Sequence, residues 1–128
     1  MLLLDTCCLL WLVGEQHRLS ARARQLIAAH ADSLFISAIT GFEIALKQAK
    51  GRLVLPLPAE PWLERALVQH SVGEIPVTWR IAARSATLPP LHADPCDRII
   101  VATAEIEALL ILTPDSLITS YPSAHVVW

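Results

Sequence analysis

Four acidic residues of this chain stand where an apolar segment is about to begin or has just ended. Carboxylates that gather in one place repel one another and raise one another's pKa, which costs stability unless a cation neutralises them. Carboxylate oxygens without a matching set of histidines or cysteines suit a hard ion, Mg²⁺ or Mn²⁺. The four acids are Asp5, Glu43, Asp97 and Asp115.

A site with few protein ligands leaves several waters on its ion, which suits the hydrolysis of phosphodiesters. The ion activates a water and neutralises charge on the phosphate. Zinc is not expected, because Cys7, Cys8 and Cys96 form no C-x-x-C pair and have no histidine pair nearby. The acids therefore predict a metal-dependent reaction on a phosphate.

Each acid also has an explanation that needs no metal. Thr40 and Glu43 have the T-x-x-E spacing of a helix capping box. Asp97 in a first helical turn would complement the helix dipole, and Asp5 and Asp115 would serve as loop or cap residues. The metal interpretation depends on the conjunction of all four acids, which come from remote segments of the chain.

The elements that must position these acids are predicted by short apolar runs that alternate with longer segments of helical period. Strands separated by helices indicate βαβ units, a parallel sheet and helices on both of its faces. The predicted strands are LLL, SLFISA, GEIPV, LLILT and HVVW, and the predicted helices are TCCLLWLVG, LSARARQLIAAHA, TGFEIALKQAKG, AEPWLERALVQH, TWRIAARSATL, PCDRIIVATAEIEA and a short turn in DSLITSY. Ser20 and Thr78 are the predicted N-caps of the second and fifth of these helices. We therefore expect an α/β fold, a three-layer α/β/α domain over residues 1–128 with a central parallel sheet of four or five strands.

In such a sheet the helix N-termini and the strand carboxyl ends lie at one edge, where α/β proteins bind ligands. Asp5 directly follows the first strand, and Asp115 comes two residues after Thr113 at the end of another. Glu43 and Asp97 fall in the first turns of two predicted helices. The topology thus brings four carboxylates from four remote segments to one edge.

Several neighbours of the acids are candidates for supporting roles. The hydroxyls of Thr6 and Thr113 would hold metal ligands or waters, or would be plain cap and strand-end groups. Asp94 is expected to cap the helix that starts at Pro95, with a direct metal role as the alternative. His92 is interpreted as an exposed loop histidine, with donation to a phosphate as the alternative.

Basic side chains near the acids are candidates for contacts with a nucleic-acid backbone. Lys47, Lys50 and Arg52 form a local basic patch just beyond Glu43, and Arg98 adjoins Asp97. Lys47 and Arg98 are the candidates for contacts with a nucleic-acid backbone, with solvated helix-face charge as the alternative for the patch.

Composition limits the classes of protein that the chain can represent. Hydrophobic residues make up 54% and charged residues 17% of the chain, so apolar surface is expected to be covered by an oligomer or a partner. A net charge of −2 argues against a broad basic face for nucleic acid. No apolar run has the roughly 18 residues of a membrane span, and the odd number of cysteines suits reduced thiols. We expect a cytoplasmic protein.

Five stretches that span nearly the whole chain form a recognisable pattern: LLLDTCCLLWL, RLSARARQLI, ISAITGFEIALKQAKGRL, LPPLHADPCDRIIVATA and ILTPDSLITSYP. Among them, DPCDRIIVATA together with FEIALK is a specific signature. Taken in order, these stretches resemble the PIN-domain proteins, and among them the VapC toxins of bacterial toxin–antitoxin pairs. The family's acidic cluster falls on the same four acids. Gly41 departs from the pattern, because related sequences often carry a bulky residue such as Trp there.

The resemblance implies an Mg²⁺- or Mn²⁺-dependent endoribonuclease, the toxin of a type II toxin–antitoxin system, inhibited by a cognate antitoxin and forming a homodimer. A PIN-type RNA-processing nuclease that is not a toxin is one alternative, and a pure binding protein with an inactive cluster is another. A receiver-like Mg²⁺-binding signalling module is disfavoured, because only one acid follows the first strand and no late lysine precedes the final HVVW. A haloacid-type phosphatase is disfavoured because DTC lacks the second aspartate of a D-x-D motif.

Overall fold

Five parallel strands form the central sheet of the protein, in the order β3-β2-β1-β4-β5. The computed structural model describes all 128 residues. The predicted parallel sheet and its helical layers are confirmed, and the GEIPV strand begins one residue earlier than predicted, because Val72 pairs with Leu34. The strands are β1 Leu2–Leu4, β2 Leu34–Ser37, β3 Val72–Ile75, β4 Leu110–Leu112 and β5 His125–Val127.

Seven α-helices cover the two faces of the sheet, and a 3-10 helix, which was not predicted, spans Gln16–Arg18. Two of the predicted N-caps are confirmed, because the Ser20 hydroxyl accepts from the Ala23 N–H at 2.9 Å and the Thr78 hydroxyl from the Ile81 N–H at 3.2 Å. The helices are α1 Thr6–Gly14, α2 Ala21–Ala29, α3 Ile39–Ala49, α4 Ala59–Gln69, α5 Trp79–Thr87, α6 Pro95–Glu107 and α7 Ser116–Thr119. None of these helices combines the length and the apolar character of a membrane-spanning helix.

Alternation along β1 divides the core into two layers. Leu2 and Leu4 are buried on one face, in a cluster with residues of α1 to α4. Leu3 is buried on the other face, in a cluster with residues of α5, α6 and α7. Successive strand residues point to opposite faces of a sheet, so three consecutive leucines serve both layers.

The strand order places a topological switch point between β1 and β4. The chain runs from β1 to β2 and β3 on one side, and β4 then pairs with the other side of β1, with Leu4 opposite Leu112. The Asp5 N–H continues this ladder by donating to the Leu112 carbonyl at 3.1 Å. The crevice between the carboxyl ends of β1 and β4 is therefore the expected ligand position in a sheet of this kind.

Candidate active site

A pocket of about 320 Å³ opens at the carboxyl edge of the sheet, beside β1 and β4. It brings together all four acids that the sequence singled out, along with Asp94. A larger depression of about 530 Å³ runs along α4, but it carries only one acid and no cluster of reactive groups, so we place the site in the acidic pocket. The pocket is lined by Asp5, Thr6, Cys7, Glu43, Lys47, Asp94, Asp97, Pro114 and Asp115.

Asp5 is the most buried acid of the pocket, with 5% of its surface exposed. One carboxylate oxygen accepts from the Thr6 N–H at 2.7 Å at the start of α1, and the other accepts from the Thr113 hydroxyl at 2.7 Å. Burial raises the pKa of Asp5, the hydrogen bonds from Thr113 and Thr6 oppose that rise, and the charges of Glu43 and Asp115 add to it. Both predicted threonine neighbours therefore touch a site acid.

Glu43 does not take part in a capping box, so that alternative is wrong. The helix α3 already begins at Ile39, whose N–H donates to the Ser37 hydroxyl at 3.2 Å, and this places Thr40 inside the first turn and Glu43 beyond it. The Thr40 hydroxyl lies 3.0 Å from the Thr6 hydroxyl instead of capping the helix. The physical reason is that α3 starts earlier than the local T-x-x-E pattern suggests.

Both oxygens of the Glu43 carboxylate have partners that orient it toward the pocket. The Thr6 hydroxyl donates to Oε1 at 2.7 Å, and Lys47 Nζ donates to Oε2 at 3.0 Å from one turn further along α3. Burial on its own lowers the pKa of Lys47, but the hydrogen bond to Glu43 and the charges of Glu43, Asp97 and Asp94 outweigh it, and the net pKa is raised. Lys47 therefore stays a cation at the mouth of the acidic pocket.

Asp97 lies in the first turn of α6, as predicted, and no protein group donates an aligned hydrogen bond to it. Burial, followed by the charges of Asp5, Asp94 and Glu43, raises the pKa of Asp97 to about 7, and His92 partly opposes this rise. Asp94 caps α6, as predicted, by accepting from the Cys96 N–H at 2.9 Å. Its side chain also reaches the pocket.

The two carboxylate oxygens of Asp115 have different surroundings. Its Oδ1 accepts from the Leu117 N–H at 2.8 Å and so caps the short helix α7. The Thr113 hydroxyl fixes its backbone by accepting from the Asp115 N–H at 3.0 Å. The cap interpretation of Asp115 is thus confirmed for one oxygen, while Oδ2 remains at the pocket.

The donor atoms of the pocket are close enough together to share an ion. Ligand atoms of Glu43, Asp94 and Asp97 lie within 4.8 Å of one another, and so do those of His92, Asp97 and Asp115. Carboxylate oxygens are the preferred donors of Mg²⁺ and Mn²⁺. Burial is the main cause of the raised pKa values of Asp5 and Asp97, and the charges of neighbouring acids add to both, so a cation would relieve that repulsion. The residues present therefore fit a divalent cation.

Of the two RNA-binding candidates, only Lys47 lines the pocket. Arg98 points into the protein, and its guanidinium donates at 2.8–3.3 Å to the Tyr121 hydroxyl and to four backbone carbonyls. These contacts engage the guanidinium in holding a loop, so Arg98 is a structural residue in this geometry. The four carbonyls belong to Ser85, Leu88, Pro89 and His92.

His92 lies beside the acids of the pocket, a position that was not predicted from the sequence. Only 11% of its side chain is exposed, so the interpretation as an exposed loop histidine is wrong. Its Nε2 lies 2.8 Å from Oδ2 of Asp97 and 3.6 Å from Oδ2 of Asp115. Local sequence gave no signal for this, because the contact depends on the loop after α5 folding back over α6.

The fold and the pocket define a class: an α/β protein whose parallel sheet carries a carboxylate cluster at its switch point. Within this class, the chain belongs to the PIN-domain family, because the model of the PIN domain matches residues 2–122. Ribonuclease VapC22 of Mycobacterium tuberculosis (strain ATCC 25618 / H37Rv) is 36% identical to this chain, over 98% of this chain and 97% of that protein.

Solved structures support the same assignment at the level of the fold. A toxin–antitoxin complex from Klebsiella pneumoniae matches with a TM-score of 0.68 and 26% identity, over 100% of this chain and 97% of that chain. VapBC2 from Rickettsia felis, bound to a DNA fragment from its promoter, matches with a TM-score of 0.73 and 13% identity, over 98% of this chain and 96% of that chain. The predicted resemblance to PIN-domain, VapC-like proteins is confirmed.

Proposed function

We propose that this protein is a metal-dependent endoribonuclease and the toxin of a toxin–antitoxin pair. The observation that carries the proposal is the convergence of Asp5, Glu43, Asp97 and Asp115 in one pocket at the switch point of the sheet. The 36% identity to a ribonuclease over nearly the full length of both proteins supports RNA as the substrate.

Asp5, Glu43 and Asp97 would hold the principal ion, Mg²⁺ or Mn²⁺, and Asp115 would contribute through a water or to a second ion. A divalent ion in this position supplies activation of water and neutralisation of charge on the phosphate. Thr6 and Thr113 keep the acids in place through the 2.7 Å hydrogen bonds to Glu43 and Asp5. In-line attack of water on the phosphorus leaves a 5′-phosphate and a 3′-hydroxyl.

Lys47 is the basic residue that we assign to the RNA backbone. Its Nζ lies at the pocket wall, and its raised pKa keeps it charged at neutral pH. Because the whole chain has a net charge of −2, RNA binding depends on the ion and on a few local cations and not on a broad basic face.

A cognate antitoxin and a second copy of the chain are the protein partners in this proposal. Phe42 is 56% exposed and Leu46 is also exposed, four residues apart on α3 and next to Glu43. An antitoxin that covers this face would block the pocket or place a basic side chain among the acids. The solved structure that is 26% identical is itself a toxin–antitoxin complex. The expected compartment is the cytoplasm, since the three cysteines are free thiols.

The test is cleavage of a defined RNA by the purified protein with Mg²⁺, with Mn²⁺, and after exhaustive treatment with EDTA. We expect cleavage with either ion and at least a roughly 100-fold loss in EDTA that added metal restores. Asp97→Asn should be inactive, whereas the matched control Asp32→Asn, an exposed acid in the turn after α2, should cleave normally. Cleavage that survives metal removal unchanged would refute the proposed mechanism.

Expression in a bacterial host separates the toxin from an RNA-processing nuclease of the same family. A toxin is expected to arrest growth, and co-expression of its antitoxin is expected to restore it. RNA cleavage in vitro without growth arrest would favour the processing nuclease.

A further inference from the structure

Three contacts fix the position of His92 behind the acids. Its backbone N–H donates to the Tyr121 hydroxyl at 3.0 Å, and its carbonyl accepts from Arg98 Nη1 at 3.3 Å. Its ring nitrogen Nδ1 accepts from the Asp94 N–H at 3.1 Å. Arg98 Nη1 also donates to the Tyr121 hydroxyl at 3.2 Å, so the two anchors of the backbone are tied to each other.

The contact with Asp94 decides which ring nitrogen of His92 carries the proton. A backbone N–H only donates, so Nδ1 must be an acceptor, and the proton of the neutral ring is on Nε2. A protonated Nε2 has no lone pair for a metal ion. The group of His92, Asp97 and Asp115 is therefore not a site with an imidazole ligand, and Nε2 is available only as a donor.

Nε2 of His92 is a buried donor that no group satisfies with good geometry. It lies 2.8 Å from Oδ2 of Asp97, but the angle is outside that of a hydrogen bond. A buried donor without a partner costs roughly 1–3 kcal/mol, and such groups are rare in folded proteins. The Asp97 carboxylate, which no hydrogen bond holds, can turn about its soft terminal torsion to bring an oxygen toward this N–H.

We propose that His92 is a positioning residue of the metal site, which donates from Nε2 to Asp97 and holds this carboxylate beside Asp115, whose Oδ2 lies 3.6 Å from the same nitrogen. This inference rests on the proposed metal-dependent function. His92 does not line the pocket, so it acts through the acids and does not touch the substrate. Oδ1 of Asp97 has no protein donor, which leaves that oxygen to the ion.

Two consecutive residues of α6, Asp97 and Arg98, hold the two sides of the contact between His92 and Asp97. Asp97 presents the acceptor, and Arg98, the next residue, holds the loop that carries the donor. Tyr121, which is buried, closes the arrangement from the segment after α7. Partners that orient metal ligands typically contribute about 10–100-fold to metal affinity or activity. This accounts for an arginine in the first turns of α6 that does not line the pocket.

Two substitutions of His92 test the contributions of its two ring nitrogens separately. His92→Asn keeps an oxygen near the position of Nδ1 and removes the donor at Nε2, whereas His92→Gln keeps an amide donor near Nε2 and gives up the acceptor for Asp94. Calorimetric titration of the metal-free proteins with Mn²⁺ should show affinity reduced about 10-fold or more in His92→Asn and within about 3-fold of the unchanged protein in His92→Gln. Melting temperatures measured in EDTA report whether each variant is folded.

Each outcome of this titration has a definite meaning. Normal affinity in His92→Asn together with weak affinity in His92→Gln would overturn the inference, because the ring would then act only through the loop contact with Asp94. Equal affinity in all three proteins would overturn it as well, while leaving the proposed function intact. If the unchanged protein binds no Mn²⁺, the proposed function fails and the inference fails with it.

Nitrogen NMR of the His92 ring gives a second test that needs neither a variant nor a metal. In the neutral ring we expect a pyrrole-type shift for Nε2 and a pyridine-type shift for Nδ1. The reverse assignment would overturn the inference even if His92→Asn failed to fold, because Nε2 would then be a lone-pair donor suited to binding an ion.

Discussion

Asp97 is the carboxylate whose protonation depends most on its surroundings. Its pKa is raised to about 7 by burial first and then by the charges of Asp5, Asp94 and Glu43. In the unfolded chain the same group titrates near its ordinary 3.8. Between these values the folded protein holds a proton that the unfolded chain has released, so the free energy of unfolding decreases as pH rises.

We predict that the metal-free protein is more stable at pH 5.5 than at pH 8, by about 5 °C in melting temperature. Asp5 acts in the same direction, because burial raises its pKa too. In Asp97→Asn this pH dependence should shrink, and in the control Asp32→Asn it should persist. The measurement is a series of melting curves in EDTA, and added Mn²⁺ should remove the loss at pH 8. An unchanged pH dependence in Asp97→Asn would contradict the assignment.

Glu43→Gln tests the metal interpretation at one residue. Gln keeps an oxygen that can accept from the Thr6 hydroxyl, and it removes an anionic ligand and an ion pair with the half-exposed Lys47. A helical ion pair of this spacing contributes only about 0.3–0.5 kcal/mol, and the loss of like-charge repulsion offsets it. We predict at least a roughly 100-fold loss of RNA cleavage and weaker Mn²⁺ binding, with a metal-free melting temperature that is unchanged or higher.

The matched control for this substitution is Glu60→Gln, an exposed acid in the first turn of α4. It should leave cleavage and Mn²⁺ affinity unchanged. Near-normal cleavage by Glu43→Gln at saturating Mg²⁺ would remove Glu43 from the metal site and leave that site with the remaining acids.

The four acids and two threonine neighbours were predictable from sequence, whereas the acid that each threonine contacts was not. Asp5 and Asp115 were located because any parallel sheet brings the carboxyl ends of its strands to one edge, whatever the strand order. The contact of Thr6 with Glu43 spans 37 residues, and that of Thr113 with Asp5 spans 108 residues. The first contact depends on the pairing of β1 with β2 and the second on the pairing of β1 with β4, which local patterns do not encode. The position of His92 depends instead on the loop before α6 and on its hydrogen bond to Tyr121.

At the scale of elements, helix starts were predicted correctly where a side chain caps its own helix. Ser20, Thr78 and Asp94 each accept from an N–H within three residues, so the signal is local. The predicted start of α3 was wrong because Ala38 already has helical backbone angles, so the helix begins before the Thr40 that the local pattern offers as a cap. Tertiary packing decides that boundary, with Thr40 buried against Thr6.

Gly41 lies inside α3, and the structure shows room for a side chain there. A β-carbon would meet only Leu63 Cδ1, at 3.8 Å, which is ordinary contact. Glycine inside a helix costs roughly 0.5–1 kcal/mol relative to alanine. We therefore predict that Gly41→Ala raises the free energy of unfolding by about that amount, as measured by urea denaturation.

Gly73→Ala in β3 is the contrasting variant. A β-carbon there would lie 2.8 Å from the ring of Phe35 on the neighbouring strand, so the ring would have to move. It should lower the free energy of unfolding by about 1–3 kcal/mol. A lower free energy of unfolding in Gly41→Ala would contradict the prediction for that position. It would indicate a steric contact at Gly41 that the structure of the single chain does not show.

At the scale of the whole molecule, apolar side chains remain on the surface of several helices. Phe42, Val68 and Trp79 are exposed large hydrophobic residues on α3, α4 and α5. The mean hydropathy of the chain is +0.49, and its two core layers do not use this surface. Composition predicted the excess of apolar residues, but the sequence could not indicate which helices would expose it, because that depends on the packing of both layers.

We predict that the isolated protein is a homodimer held mainly by apolar contacts. Light scattering at micromolar concentration should give twice the 14.0 kDa of one chain. Because only 17% of the residues are charged and the net charge is −2, ion pairs can supply little of the association. Raising the salt concentration to about 1 M screens charge but does not weaken apolar burial, so the dimeric mass should persist. A monomeric mass at micromolar concentration would refute the dimer, and a dimer that dissociates in high salt would show that charged contacts hold it.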